Sequence, residues 1–295
     1  SQQTQKRCLA RAFVAADQRH PGRNATRQPP ENTQRSMGKT KLVKCEQRRQ
    51  RVFSFIEDRE SGSARTAPWR IVAATTDNPC MPSSFDQLQL DIPFVLRERG
   101  TRSLHFTYGE LQSRMRDDRP KALEVDYTRT MMGFLLLLPR PAHITQIGMG
   151  GGSLLKFCHH HLPDTSITAL EINPGVLALR SEFGIPPDSA RLQVVLGEGA
   201  RYIAQHPAST DVLMVDGFDA RGQPPQLCSP AFYRACHDAL RPGGVLVVNL
   251  HADDPQCDQR LKHLGQVFAG NGVQILAQEK SNCVVMAGRE HPVHQ

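Results

Sequence analysis

A glycine loop constrains this chain more than any other feature. Gly148-Met149-Gly150-Gly151-Gly152-Ser153 follows a short apolar run and precedes an amphipathic one. Residues 144–148 read as a strand and residues 153–161 as a helix. Glycines at such a junction let backbone approach a ligand with no Cβ in the way, and the helix N-terminus turns free N–H groups toward an anionic part of it.

The alternation then continues. Strands are expected at 166–172, 192–196, 211–216 and 245–250. Helices are expected at 174–183, 200–205, 230–240 and 257–268, with Pro174 near the first turn of one and Pro242-Gly243-Gly244 closing another. Runs 274–277 and 283–287 read as an antiparallel pair. Upstream, 94–106 reads as two strands around Gly100, 110–115 as a polar connector, and 127–138 as a buried helix ended by Pro139 and Pro141. This pattern predicts an α/β fold with a mostly parallel, Rossmann-like sheet over residues 120–290, preceded by a small β-hairpin region at 90–118.

Residues 1–80 have a different texture, rich in Gln, Arg, Ser, Thr and Pro, and are expected to be disordered apart from a marginal helix at 41–60. Met37 and Met81 are possible alternative starts, so the segment is kept out of the fold reasoning. The chain's +7 charge belongs to this end. Residues 1–90 hold 16 Lys/Arg against 8 Asp/Glu, and the rest hold 20 against 21. With no aromatic interleaving or nucleic-acid motif, nucleic acid is not an expected partner. The longest apolar run, 131–139, is far short of the ~20 residues of a membrane span. The 8 cysteines form no C-x-x-C pair, which argues against a zinc module and for reduced thiols in a cytoplasm. His159-His160-His161 point in different directions on a helix and suit an exposed helix end better than a metal site. No metal is expected.

The loop Gly148, Gly150, Gly151, Gly152 and Ser153 fits either a dinucleotide pyrophosphate or the methionine carboxylate of an adenosyl sulfonium. The spacing favours the second, because G-x-G-x-x-G would need its third glycine at Ser153. Glu171 ends the second strand, 19 residues after Gly152, where an acidic group accepts hydrogen bonds from ribose hydroxyls. Glu198, in Gly197-Glu198-Gly199-Ala200, follows the third strand and is a candidate for the adenine amino group. Asp216 and Asp219 lie at the carboxyl end of the fourth strand, where open α/β sheets place catalytic groups. Two close carboxylates can hold a cationic amine and take its proton as it attacks an electrophilic carbon.

Together, Ile147-Gly148-Met149-Gly150-Gly151-Gly152, Leu170-Glu171-Ile172-Asn173, Gly197-Glu198-Gly199-Ala200, Val215-Asp216-Gly217-Phe218-Asp219 and Leu240-Arg241-Pro242-Gly243-Gly244 resemble the spermidine synthase (polyamine aminopropyltransferase) family, within the class I methyltransferase superfamily. The resemblance covers residues 90–290. It implies transfer of an aminopropyl group from decarboxylated S-adenosylmethionine to a diamine or polyamine, and a homodimer. It also implies Glu171 on the ribose, Glu198 beside the adenine, Asp216 as base and Asp219 assisting. Three positions depart from the family pattern. Ser153 stands where the family has Asp, Asp126-Tyr127-Thr128-Arg129-Thr130-Met131-Met132 stands in place of its Tyr-His-Glu stretch, and Ala220 replaces Pro. Ser153 with Arg129 nearby suits intact S-adenosylmethionine, so methyl transfer is the alternative reading. A relative that binds the nucleotide without turnover, and a nicotinamide dehydrogenase, are further readings.

Overall fold

In the computed structural model the residues described are Val72–Ala73 and 90–290. The basic segment 1–80, including the helix expected at 41–60, lies outside them except for that dipeptide. The strands run β1 (Val72–Ala73), β2 (Phe94–Glu98), β3 (Thr101–Thr107), β4 (Glu110–Arg116), β5 (His143–Ile147), β6 (Ser166–Glu171), β7 (Leu192–Leu196), β8 (Thr210–Val215), β9 (Leu240–His251), β10 (Gly272–Leu276) and β11 (Asn282–Gly288). The helices are α1 (Asp126–Met131), α2 (Ser153–His161), α3 (Pro174–Ala178), α4 (Gly199–Ala204), α5 (Pro230–Ala239) and α6 (Cys257–Val267).

The larger sheet has the order β10-β11-β9-β8-β5-β6-β7. Strands β9, β8, β5, β6 and β7 are mutually parallel, and β11 is antiparallel to both its neighbours. This is the α/β, Rossmann-like arrangement expected, with the antiparallel pair at one edge. The order reverses between β5 and β8, and an open α/β sheet binds ligands at such a point, beyond the carboxyl ends of its strands.

Alternation along the strands sorts the core into two layers. Ile144, Val212, Met214, Val245, Val247, Val284 and Met286 pack on one face with Met131, Met132 and Phe134 of the α1 region and Leu154, Leu155 and Cys158 of α2. Leu213, Val215, Leu246, Val248, Leu250 and Val285 pack on the other with Phe232, Tyr233 and Cys236 of α5 and Leu264 of α6. Each such side chain contributes roughly 1.5–3 kcal/mol of burial. Among the described residues no helix is long and apolar enough to cross a membrane.

The structure corrects several sequence expectations. Residues 110–116 are strand β4, not a polar connector, and β2, β3 and β4 form an antiparallel meander extended by β1. Ser113 and Met115 are buried while Arg114 between them is exposed, so the alternation was present but carried by one apolar residue and one small polar one. The helix expected at 174–183 ends at Ala178 and continues as turns. The helix expected at 127–138 tightens after Met131 into a 3-10 turn, Met132–Leu136. Pro242-Gly243-Gly244 lies inside β9: Gly243 N–H donates to Arg289 O (2.9 Å) and Arg289 N–H to Gly244 O (2.9 Å), so the ladder absorbs the glycines.

Candidate active site

The glycine loop is held from both sides. Gly148 has φ +85°, and a Cβ there would lie 2.2 Å from the carbonyl oxygen of Asp216, so only glycine lets this backbone reach the end of β8. Gly152 has φ +67° as the residue before α2, and a Cβ there would strike Ile185 at 2.5 Å. Gly151 backs onto Ser113 of β4, whose Oγ lies 3.3 Å from Ser153 Oγ at the start of α2. The meander therefore forms one wall of the loop.

Glu171 ends β6 with its carboxylate turned toward that loop. Its Oε2 accepts from Met149 N–H (3.1 Å) and Gly150 N–H (3.3 Å), and its Oε1 from Asn173 N–H (2.9 Å). Burial pushes its pKa above the ordinary value, and these backbone donors oppose the rise. Glu198 precedes α4 without capping it by its side chain and is partly buried.

Asp216 follows β8 and is enclosed by side chains from two other elements. Tyr127 Oη, on α1, donates to Oδ2 (3.0 Å), and Asn249 Nδ2, on β9, donates to Oδ1 (2.9 Å). Burial raises the Asp216 pKa against these two donors and the nearby His251. Burial beside that carboxylate also drives the Tyr127 phenol well above its usual value, so it stays protonated.

Asp219 turns into its own loop. Its Oδ1 accepts from Arg221 N–H (2.7 Å), its Oδ2 lies 3.8 Å from the Arg221 guanidinium, and its backbone pairs with Gly222. Between the two aspartates, the Phe218 ring stacks on His251 at 4.4 Å. Two carboxylates at one sheet end, one hydrogen-bonded by side chains of neighbouring elements and one in a loop, can hold a cation and accept a proton.

Several residues at the site were not singled out from the sequence. Tyr127 was noted only as a departure. Asn249 carried a signal, an amide within the apolar run Val245-Leu246-Val247-Val248-Asn249-Leu250. Asp91 carried none. It accepts from Ala220 N–H at Oδ2 (2.9 Å) and from Asn173 Nδ2 at its carbonyl (2.7 Å), joining the ends of β6 and β8 across β5. A proline at 220 has no N–H to give, so Ala220 fits this local structure. Arg129 is engaged by Asp126 Oδ1 (2.8 Å) and Leu123 O (3.1 Å). His159, His160 and His161 fill the last turn of α2, the latter two exposed.

Comparison with known proteins gives the family and the fold. Residues 124–271 match the spermine/spermidine synthase domain model. The chain is 37% identical over 203 residues to the polyamine aminopropyltransferase of Neisseria meningitidis, covering 68% of this chain and 77% of that protein. It is 38% identical over 199 residues to that of Chromobacterium violaceum, covering 67% and 76%. A spermidine synthase solved in complex with the transition state analogue AdoDATO superposes with a TM-score of 0.58 at 20% identity, over 70% of this chain and 73% of that one. That likeness establishes the fold, and the domain match with the identities to the curated enzymes establishes the lineage. The chain belongs to the spermine/spermidine synthase family, a family of transferases built on the methyltransferase fold.

Proposed function

We propose that this chain transfers an aminopropyl group from decarboxylated S-adenosylmethionine to a polyamine or diamine acceptor, with the glycine loop and Glu171 on the donor and the Asp216–Asp219 end on the acceptor amine. The observation that carries this reading is the placement of Asp216, a partly buried carboxylate whose own backbone abuts Gly148 of the loop. Donor-side and acceptor-side groups are therefore neighbours across one strand end. The family match and the curated relatives weigh toward aminopropyl over methyl transfer.

In the reaction the acceptor nitrogen, as a free amine, attacks the propyl carbon next to the sulfonium. The new C–N bond forms as the C–S bond breaks, its electron pair staying on sulfur, so a neutral thioether leaves. The proton on the new ammonium passes to a carboxylate. The protein's share is positioning plus a base. In this reading Glu171 and the loop Gly148, Gly150, Gly151, Gly152 and Ser153 hold the donor, with Glu198 beside the adenine. Asp216 takes the proton from a fixed orientation, and Asp219 pairs with the acceptor cation after leaving Arg221. Burial that raises the Asp216 pKa moves it toward the working range of a base near neutrality.

The test is product analysis. The full chain is incubated with decarboxylated S-adenosylmethionine and putrescine or spermidine, and separately with intact S-adenosylmethionine. An aminopropylated amine together with methylthioadenosine is the expected result. A methylated product with S-adenosylhomocysteine, or no product from any amine, would overturn the proposal.

A further inference from the structure

The apolar stripe on the α1-covered face of the sheet ends in a polar pair. Along β9 that face carries Val245, Val247 and then Asn249, and along β11 it carries Met286, Val284 and then Asn282. Asn249 is 1% exposed, and an amide buried there is tolerated only when its groups are bonded. Asn282 Nδ2 donates to Asn249 Oδ1 (3.0 Å), and Asn249 Nδ2 donates to Asp216 Oδ1 (2.9 Å). With its oxygen taken by Asn282, Asn249 cannot flip without setting one NH2 against another. Its NH2 therefore has to face Asp216. Tyr127 donates to the opposite oxygen (3.0 Å). Asp216 thus meets donors on both oxygens, the pairing an ionised carboxylate accepts; a proton on Oδ2 would require the Tyr127 hydroxyl to turn and accept instead.

We propose that Asn249 and Asn282 form an amide relay that holds Asp216 ionised and fixed in orientation, which makes both asparagines positioning residues for the transfer reaction, Asn282 acting through Asn249. The consequence for catalysis rests on the reading of Asp216 as the base. The hydrogen-bond logic does not. The titratable groups that bear on Asp216 are Tyr127 from α1 and His251 from β9.

Asn282→Asp and Asn282→Leu separate the relay from simple packing. An aspartate at 282 offers only acceptors, so it turns the Asn249 NH2 toward itself and the Asn249 oxygen toward Asp216, which then has to carry a proton. A leucine merely frees Asn249 to rotate. Titration of the Asp216 carboxyl by carbon NMR in the unliganded full chain should show its pKa rising in Asn282→Asp, by about one unit or more, and rising less in Asn282→Leu. The acid limb of the kcat profile should move in the same order, so that turnover near pH 6 drops about tenfold in Asn282→Asp and recovers on the alkaline side, with the donor KM unchanged.

His251→Gln is the control, and the same limb should persist in it. An Asp216 titration unmoved by either substitution would overturn the relay, as would an acid limb that disappears with His251. If the carboxyl shifts as expected but Asp216→Asn turns over at the full rate, the relay stands and the base assignment fails.

Discussion

Glu171, buried, and Asp216, partly buried, are carboxylates at the carboxyl end of the same sheet, and both are pushed upward in pKa by desolvation, yet they are held in opposite ways. Glu171 takes its hydrogen bonds from main-chain N–H groups within two segments close to it, the glycine loop and Asn173. Asp216 takes its bonds from side chains on α1 and β9, which lie 89 residues before it and 33 after it. A carboxylate satisfied by backbone is fixed by the fold itself. One satisfied by side chains can be retuned by single substitutions. In the proposed reading the donor side of the site is thus built on fixed architecture, and the acceptor side on exchangeable chemistry.

The largest effect expected from this contrast is on turnover. Asp216→Asn keeps one acceptor oxygen but sets an NH2 against one of the two donors, and it removes the basic carboxylate. In the proposed mechanism it should lower kcat for aminopropyl transfer by on the order of 10²–10⁴ while methylthioadenosine binding changes little. Asp219→Asn should act mainly through the acceptor, raising its KM. If Asp219→Asn abolishes kcat while Asp216→Asn is only weakened, the two roles are exchanged, and the pH profile of each variant will show which one has lost the acid limb.

Glu171→Gln probes the other side. The neutral amide keeps one acceptor oxygen but sets an NH2 against backbone N–H groups that now bond the carboxylate. Hydrogen bonds to a charged group are worth ≈ 1.5–3 kcal/mol each, so the donor should bind on the order of 10- to 100-fold more weakly, with kcat at saturating donor retained. Isothermal titration with methylthioadenosine reads the first effect and saturation kinetics the second. A fall in kcat with unchanged binding would erase the distinction between the two carboxylates.

That contrast also explains what was legible from the sequence. The glycine loop, Glu171 and the succession of strands and helices could be read because their relations are local: a strand, a loop and a fixed interval to the next strand end. Asn249 was half visible, as an amide in an apolar run, but its partner Asn282 sits on β11, whose place between β9 and β10 follows from topology and not from spacing. Tyr127 and Asp91 were invisible as site residues for the same reason. Strand β4 was missed because Ser113 fills a buried position of the alternation. Gly151 lies directly against it, where a Cβ would meet the Ser113 Oγ at 2.6 Å.

Ser153 allows a smaller and more directed change. Its hydroxyl sits beside Ser113 at the first turn of α2, and no carboxylate stands at that position to meet an ammonium. Ser153→Asp adds one at a helix N-terminus, where the dipole favours it. It should tighten decarboxylated S-adenosylmethionine by about tenfold relative to the intact, carboxylate-bearing form, read as the ratio of their dissociation constants. An unchanged ratio would mean that the donor's amine end does not lie near Ser153.

Lys156 extends the comparison to a buried cation. One turn into α2, its Nζ donates to Phe183 O (2.7 Å) and lies 3.0 Å from Met115 Sδ, so like Glu171 it is held by backbone, with no carboxylate partner in those contacts. Burial, with Arg102 adding to it, pulls its pKa down to about 8. Below pH 8 the lysine is charged in both folded and unfolded chains, and the full cost of burying the charge is present. Between pH 8 and the unfolded value near 10.5 the unfolded chain binds more protons than the folded one, so stability gains from this group as pH rises. The gain is at most about 3 kcal/mol, and residual solvent contact reduces it. Lys156→Met removes both the charge and its titration. Denaturant midpoints of the two proteins at pH 7 and pH 10 should therefore differ, with the wild type gaining relative to the variant at the higher pH. Equal differences at both pH values would show that Lys156 titrates as an ordinary lysine, its burial fully offset by the contacts it makes.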